Sequence, residues 1–318
     1  MNISLIEPLG ITSEEIEDLA RPLIAAGHDF TYFDTKTTDV SELIDRSRDA
    51  DILMIANNPL PAEVIEQSSA LKMIAVAFTG IDHVALDACR KHGIMVCNCA
   101  GYSNISVAEL TIGLTLDVLR KISSGNSSIR NGGTSDGLMG SEIAGKTVGI
   151  VGVGNIGLQA AKLFRAFGAR VLGYARHKRS EAEAAGVEYR PLEDLLESSD
   201  IVSLHLPLND STRKSFGKAQ LALMKPGSVL INCARGAIVD NEALAEALDS
   251  EHLSGAGIDV FDMEPPLDPG YCLLKAKGAI LTPHIAFLTH EAMQRRARIE
   301  FDNVSAYLCG EPQNVCEL

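Results

Sequence analysis

A strand, a glycine-rich turn and a helix follow one another near the middle of the chain, and this order constrains the fold more than any other feature. The apolar run at residues 148–151 predicts a fully buried strand, and helical periodicity begins a few residues after it. Between them, Gly152 permits a tight turn, Gly154 lets the backbone approach a pyrophosphate, and Gly157 lets helix and strand pack closely. Free N–H groups at the start of the helix favour phosphate charge. The pattern predicts a dinucleotide site, and a glycine turn without a ligand is the alternative.

The length and composition of the chain limit the classes of protein to which it can belong. Its 318 residues suggest two domains, and its net charge of −14 argues against nucleic acid or an anionic membrane surface as a partner. No apolar run is long enough to span a membrane, and the first residues do not resemble a signal peptide. The seven cysteines are scattered without a Cys-x-x-Cys pair, which predicts no metal site, no disulfide framework and reduced thiols in the cytoplasm.

Short apolar runs alternate with helical segments on both sides of the glycine-rich turn. This alternation predicts an α/β protein whose parallel sheets are covered by helices on both faces. Before the turn, strands are expected at 3–6, 51–56, 73–77 and 94–97, and helices at 14–26, 40–48 and 62–68. After it, strands are expected at 170–174, 201–204, 228–232, 256–260 and 279–282, and helices at 180–185, 192–198, 218–223 and 241–250.

Two helical segments connect the predicted domains. Ser106 and Glu109 form a capping-box pattern that opens an apolar helix ending near residue 122, and an exposed polar loop is expected at 123–137. The final helix, at 291–308, comes after the last strand of the second sheet, so we expect it to pack back on the first domain. The predicted domains are residues 1–103 with 288–318, and residues 104–287.

The helix at 106–122 is also the predicted interface of a two-fold homodimer. It carries more leucine and isoleucine than a solvated linker needs. The alternative is a helix buried between the two domains of one chain.

Three side chains with useful chemistry follow predicted strands of the second domain, where open α/β sheets bind ligands. The guanidinium fork of Arg235 matches a carboxylate, and the imidazole of His284 can exchange a proton near neutral pH. A carboxylate such as Glu264 would favour the protonated ring and fix its tautomer. Taken singly, these residues could be a surface ion pair, a core histidine and a turn residue. Together, downstream of a dinucleotide motif, they predict an active site.

These motifs and several others, in order along essentially the whole chain, resemble the D-isomer-specific 2-hydroxyacid dehydrogenases. The shared segments are 78–84, 101–109, 145–157, 205–207 and 234–240, with the three chemical motifs. The resemblance implies two doubly wound parallel-sheet domains, a flavodoxin-like substrate domain and an inserted Rossmann NAD(P)-binding domain. It also implies hydride transfer between NAD(P)H and a small 2-keto acid or (R)-2-hydroxy acid, similar to hydroxypyruvate, glyoxylate or 3-phosphoglycerate.

The resemblance further implies a role for each site residue. His284 exchanges a proton with the substrate oxygen, Glu264 pairs with His284, and Arg235 holds the substrate carboxylate. The backbone amides of Thr79 and Gly80 join Arg235 and His284 in binding substrate. The implied cofactor-binding residues are Gly152, Gly154, Asn155, Ile156, Gly157, Arg176, His205, Pro207, Thr212, Cys233, Ala234, Arg235, Asp259 and His284.

Two positions depart from the family pattern. Ala175 stands where the family usually has the acid that binds a ribose 2′-OH, and Arg176, Lys178 and Arg179 follow it. This favours NADP over NAD, and the alternative is a solvated basic loop in an NAD enzyme. Phe287 stands where the family usually has glycine or serine, which narrows the pocket near the nicotinamide.

Two functions are compatible with this pattern. The first is an NAD(P)-dependent enzyme acting on a small 2-keto or 2-hydroxy acid. The second is an NAD(P)-sensing scaffold or corepressor-like binding protein of the same fold, since such proteins also retain the three chemical residues.

Overall fold

The computed structural model describes all residues from Met1 to Leu318 and divides the chain into two compact units. Unit 1 consists of Met1–Ser103 and Leu288–Leu318, and unit 2 consists of Asn104–Phe287. Each unit is built on one parallel sheet with helices between its strands. The predicted α/β class is therefore confirmed. No helix is long and apolar enough to cross a membrane.

Unit 1 contains a sheet of five parallel strands in the order β2-β1-β3-β4-β5, the flavodoxin-like order. The strands are β1 (Asn2–Leu5), β2 (Asp29–Tyr32), β3 (Ile52–Ile55), β4 (Met73–Val76) and β5 (Met95–Asn98). The helices are α1 (Ser13–Ala25), α2 (Val40–Ser47), α3 (Ala62–Gln67), α4 (Leu86–His92) and the C-terminal α12 (His290–Leu308). Every residue of β3 and β4 is buried, as expected for strands with both faces covered.

Unit 2 contains a sheet of seven parallel strands in the order β12-β11-β10-β9-β6-β7-β8. The strands are β6 (Thr147–Val151), β7 (Arg170–Tyr174), β8 (Val187–Tyr189), β9 (Ile201–Leu204), β10 (Ser228–Asn232), β11 (Leu253–Ile258) and β12 (Ala279–Leu281). The helices are α5 (Asn104–Arg120), α6 (Ile122–Arg130), α7 (Asn155–Ala166), α8 (Ser180–Ala184), α9 (Leu192–Ser198), α10 (Lys218–Leu223) and α11 (Asn241–Asp249). The chain order reverses at β6, between β7 and β9, which is where Rossmann sheets bind dinucleotides.

Helix α5 corrects one prediction and removes the sequence argument for another. It begins at Asn104, so Ser106 is a buried residue of the first turn and not a helix cap. Its apolar side chains pack into unit 2 itself, and a Cβ at Gly257 of β11 would lie 2.8 Å from Leu114 Cβ. The leucines of α5 are therefore explained by the core of unit 2, and they are not evidence for a dimer interface.

The segment at 123–137 also differs from its prediction as a loop. Helix α6 covers Ile122–Arg130, after Lys121 adopts a left-handed conformation with φ of 52°. The Asp117 carboxylate accepts a 2.7 Å hydrogen bond from the Ser123 amide and so occupies a free N–H group at the start of this helix. This contact comes from the preceding helix and compensates for the poor helix propensity of the Ser- and Gly-rich sequence.

Candidate active site

The glycine-rich turn between β6 and α7 has the close approaches that a dinucleotide site requires. Gly152 has a φ of 99°, and a Cβ there would lie 2.4 Å from the His205 carbonyl oxygen. A Cβ on Gly157 would lie 2.1 Å from the Gly152 carbonyl oxygen, whereas one on Gly154 would meet no atom within 4 Å. No side chain caps α7. The turn therefore combines crowded glycines that allow close packing with open space beside a helix N-terminus, and it fits a pyrophosphate.

The turn after β7 carries the cations that follow Ala175. Arg176 and Lys178 are exposed, and Arg179 is half-buried. The Arg179 side chain donates from Nη1 to Asn155 Oδ1 at 2.9 Å and from Nε to Glu181 Oε2 at 3.1 Å. The guanidinium of Arg179 thus lies at the first residue of α7, beside the glycine-rich turn.

The loop after β9 lies next to the glycine-rich turn between β6 and α7. The His205 amide donates to the Val151 carbonyl oxygen at 2.8 Å, and His205 Nε2 lies 2.9 Å from Ser203 Oγ. Burial lowers the pKa of His205 to about 4, so the imidazole is neutral at physiological pH. Thr212 Oγ1 donates to the Pro207 carbonyl oxygen at 2.7 Å and fixes the shape of the loop.

Arg235 follows β10, and its backbone is held by the last residue of that strand. Asn232 Oδ1 accepts from the Ala234 amide at 3.0 Å, and Asn232 Nδ2 donates to the Arg235 carbonyl oxygen at 3.0 Å. The Arg235 Nη1 donates to the Ala234 carbonyl oxygen at 2.8 Å. Cys233 is buried, and burial raises the pKa of its thiol well above the ordinary range, so it presents no thiolate. The role of Asn232 was missed, although a side-chain amide at a strand end is a typical signal of a local turn.

His284 follows β12 and forms a pair with Glu264. Its Nδ1 lies 3.0 Å from Glu264 Oε1 and 3.2 Å from Oε2. Because an ionised carboxylate only accepts hydrogen bonds, this contact places a proton on Nδ1 and leaves Nε2 for another partner. The ring of Phe287 meets the imidazole edge-on, with centroids 5.3 Å apart and an interplanar angle of 86°.

Asp259, which follows β11, is fully buried and holds the backbone around His284. Its carboxylate accepts hydrogen bonds from the Thr282 hydroxyl at 2.6 Å, the Ile285 amide at 2.9 Å and the Ala286 amide at 2.8 Å. Burial raises the pKa of Asp259, and these hydrogen bonds oppose the rise. This role was not foreseen, since the sequence pattern assigned Asp259 to the cofactor.

In unit 1, Thr79 and Gly80 lie in the turn that follows β4. Asn98 Nδ2 donates to the Thr79 carbonyl oxygen at 2.8 Å, and His83 Nε2 lies 3.1 Å from the Ala56 carbonyl oxygen. These side chains hold both ends of the turn. Across the whole chain, no group of three or more His, Cys, Asp or Glu side chains is arranged to bind a metal.

A Rossmann sheet, an open glycine-rich turn and a histidine–carboxylate pair beyond neighbouring strands define an NAD(P)-linked oxidoreductase. Comparison with known proteins gives the family. The family model described as D-isomer specific 2-hydroxyacid dehydrogenase, NAD binding domain, matches residues 112–286. The chain belongs to the D-isomer specific 2-hydroxyacid dehydrogenase family, as the sequence motifs predicted.

Individual relatives agree with this assignment. The chain is 36% identical over 293 residues to a glyoxylate reductase of Thermococcus litoralis. The aligned region covers 89% of this chain and 88% of the relative. It is 38% identical to a D-3-phosphoglycerate dehydrogenase of Methanocaldococcus jannaschii, over 85% of this chain but 52% of that protein, so it spans about half of that relative's length. An acyclic imino acid reductase solved with NADPH and D-arginine is 30% identical, with a TM-score of 0.88 and full coverage of both chains.

These comparisons confirm the predicted reaction class, which is hydride transfer between NAD(P)H and a 2-keto acid, or in reverse from a 2-hydroxy acid to NAD(P)+. They do not favour the alternative of a sensing scaffold, because the relatives are reductases and dehydrogenases.

Proposed function

We propose that the protein reduces a small 2-keto acid of the glyoxylate or hydroxypyruvate type, or oxidises a 3-phosphoglycerate-like acid, with His284 as the general acid–base. The observation that carries this proposal is the pair between His284 Nδ1 and Glu264 Oε1 at 3.0 Å, beyond the edge strand of the Rossmann sheet. The names of the two relatives support the substrate class.

The chemistry of reduction requires one hydride and one proton. A bound NAD(P)H supplies the hydride to the carbonyl carbon of the substrate. His284 Nε2 donates the proton to the carbonyl oxygen, while Glu264 keeps Nδ1 protonated and stabilises the charged ring. The guanidinium of Arg235 would bind the substrate carboxylate bidentately, and we propose the amides of Thr79 and Gly80 as further carboxylate donors.

A panel of 2-keto acids tests this assignment. NADPH and NADH oxidation would be followed with glyoxylate, hydroxypyruvate and pyruvate, and the reverse reaction with 3-phosphoglycerate. His284→Asn should lower kcat by about a hundred- to ten-thousandfold while cofactor affinity is retained. A His284→Asn variant with near-normal kcat would exclude this residue as the acid–base.

We also propose that NADP is preferred over NAD. Position 175 is alanine, so it has no carboxylate to bind the 2′-OH of NAD. Positive charge for a 2′-phosphate is available from Arg176, Lys178 and Arg179. One well-formed charge-assisted contact is worth about 1.5–3 kcal/mol, or roughly ten- to a hundredfold in kcat/KM. The NADPH bound to the imino acid reductase supports this choice.

The cofactor preference is tested by comparing kcat/KM for NADPH and NADH. The wild-type enzyme should favour NADPH, and Ala175→Asp combined with Arg176→Ile should reverse the order. Equal or better turnover with NADH in the wild-type protein would show that the basic turn is only solvated.

We propose a homodimer formed through α6 and the segment that follows it. Helix α6 has no buried residue, and Ile129 and Met139 are 70% and 91% exposed. Apolar side chains so exposed, in one continuous segment, are typical of an interface. Sedimentation should give a dimer at micromolar concentration, and Ile129→Glu should dissociate it. A wild-type monomer would contradict the proposal.

We propose the cytoplasm as the site of action, because all seven cysteines are free and a reducing compartment would keep them so.

A further inference from the structure

Tyr189 contacts both of the last two cations in the turn after β7. It ends β8, the edge strand that pairs with β7, and it is opposite Gly173 in the register. Its phenol oxygen accepts a 3.1 Å hydrogen bond from the Arg179 amide. Its ring lies under Lys178, with Nζ 5.8 Å from the ring centroid. The Tyr189 side chain therefore holds the backbone of Arg179 and contacts the ammonium group of Lys178.

The Arg179 side chain is held as well as its backbone. Its guanidinium donates to Asn155, the first residue of α7, at 2.9 Å and to Glu181 at 3.1 Å. The phenol of Tyr189 and the amide of Asn155 thus fix Arg179 from opposite ends. Arginine and lysine side chains otherwise lose several rotamers when they bind a ligand, so fixing them beforehand strengthens binding.

We propose that Tyr189 is the positioning residue of a subsite for the 2′-phosphate of adenosine, formed by the turn that carries Lys178 and Arg179. The inference rests on the proposed preference for NADP. Ala175, the first residue after β7, packs against the same apolar cluster as the Tyr189 ring. The position of the turn relative to β7 therefore depends on the Tyr189 ring, and the direction of the Arg179 amide depends on the phenol hydroxyl.

The decisive variant is Tyr189→Phe, which removes the hydroxyl and retains the ring in its cluster. A lost neutral hydrogen bond changes an equilibrium constant by roughly two- to tenfold. The KM for NADPH should therefore rise by about two- to tenfold at unchanged kcat, while both constants for NADH change by less than about twofold. Tyr189→Leu also removes the platform under Lys178 and should weaken NADPH binding further.

A second measurement isolates the subsite from catalysis. Inhibition constants for adenosine 2′-monophosphate and adenosine 5′-monophosphate would be compared in the wild type and in Tyr189→Phe, with NADH as the varied cofactor. Only the constant for the 2′-monophosphate should rise. Tyr307→Phe removes a phenol hydroxyl from unit 1, and it should leave both inhibition constants unchanged.

The outcomes separate this inference from the cofactor preference on which it rests. A wild-type enzyme without preference for NADPH would overturn that preference, and the subsite with it. A wild type that prefers NADPH, combined with a Tyr189→Phe variant of unchanged preference, would overturn only the role of Tyr189. Equal losses with both cofactors would show a structural role and would also overturn it.

Discussion

The glycine-rich turn offers a test in which binding and stability respond to different substitutions. An alanine Cβ at Gly154 would meet no atom within 4 Å, and the φ of −79° suits any residue. An alanine Cβ at Gly157 would lie 2.1 Å from the Gly152 carbonyl oxygen and 3.2 Å from Ile150 Cγ2. Gly154→Ala should therefore fold normally and obstruct the cofactor, whereas Gly157→Ala should disturb the fold.

The magnitudes follow from these contacts. Overpacking of this kind costs about 1–3 kcal/mol, and each kcal/mol lowers Tm by about 2–4 °C in a unit of this size. Gly157→Ala should therefore lower the Tm of unit 2 measurably, whereas Gly154→Ala should stay within about 0.5 kcal/mol of the wild type. If the Gly154→Ala methyl displaces the pyrophosphate from one charge-assisted hydrogen bond, cofactor affinity falls by roughly ten- to a hundredfold.

Circular dichroism melting would give Tm, and titration would give the Kd for NADPH. The chain has no tryptophan, so the fluorescence of the nicotinamide itself or calorimetry would report binding. A Gly154→Ala variant that binds NADPH as tightly as the wild type would mean that the pyrophosphate does not approach this turn. A Gly157→Ala variant with unchanged Tm would contradict the close approach of helix and strand.

Two further substitutions test buried carboxyl groups. Asp259→Asn should lower Tm and kcat together, because the asparagine amide group cannot accept all the backbone hydrogen bonds around His284. The expected loss of stability is about 1–3 kcal/mol. An unchanged kcat would show that Asp259 does not support the active site. Burial raises the pKa of Glu300 well above 4.5, so the folded state binds a proton that the unfolded state releases, and stability falls as pH rises between those two pKa values. Glu300→Gln imitates the protonated form, so its Tm should fall less than that of the wild type as pH rises above about 4.5, and a parallel pH dependence of the two Tm values would refute this.

The central strands of both sheets could be predicted from sequence because they are apolar on both faces. Strands β3 and β9 are fully buried, so they form continuous apolar runs. The edge strands β2 and β8 were missed, because β2 alternates exposed and half-buried residues and β8 is three residues long. An edge strand is stabilised by pairing on one side only, and its sequence does not need to be apolar.

Site residues could be predicted where their role follows from residue type alone. They were harder to predict where their role depends on contacts with distant residues. A glycine-rich turn after a strand can be recognised because only glycine permits the close approaches measured here. The hydrogen bonds between Asp259 and residues 282–286 connect positions 23 to 27 apart, and the bond between Tyr189 and Arg179 connects positions 10 apart. No pattern in the sequence specifies such contacts, because they depend on the pairing of the strands.

The two members of the His284–Glu264 pair are held very differently, and this limits what each can contribute. His284 has a φ of 55°, a sparsely populated conformation that the hydrogen bonds to Asp259 maintain, and its side chain is 14% exposed. The Glu264 side chain is 69% exposed, so water screens its charge. The orientation of the imidazole is therefore set mainly by the buried Asp259 and the strands that carry it. In the proposed mechanism, Glu264 would act chiefly by accepting a hydrogen bond from Nδ1–H, which fixes the tautomer and leaves Nε2 for the substrate oxygen.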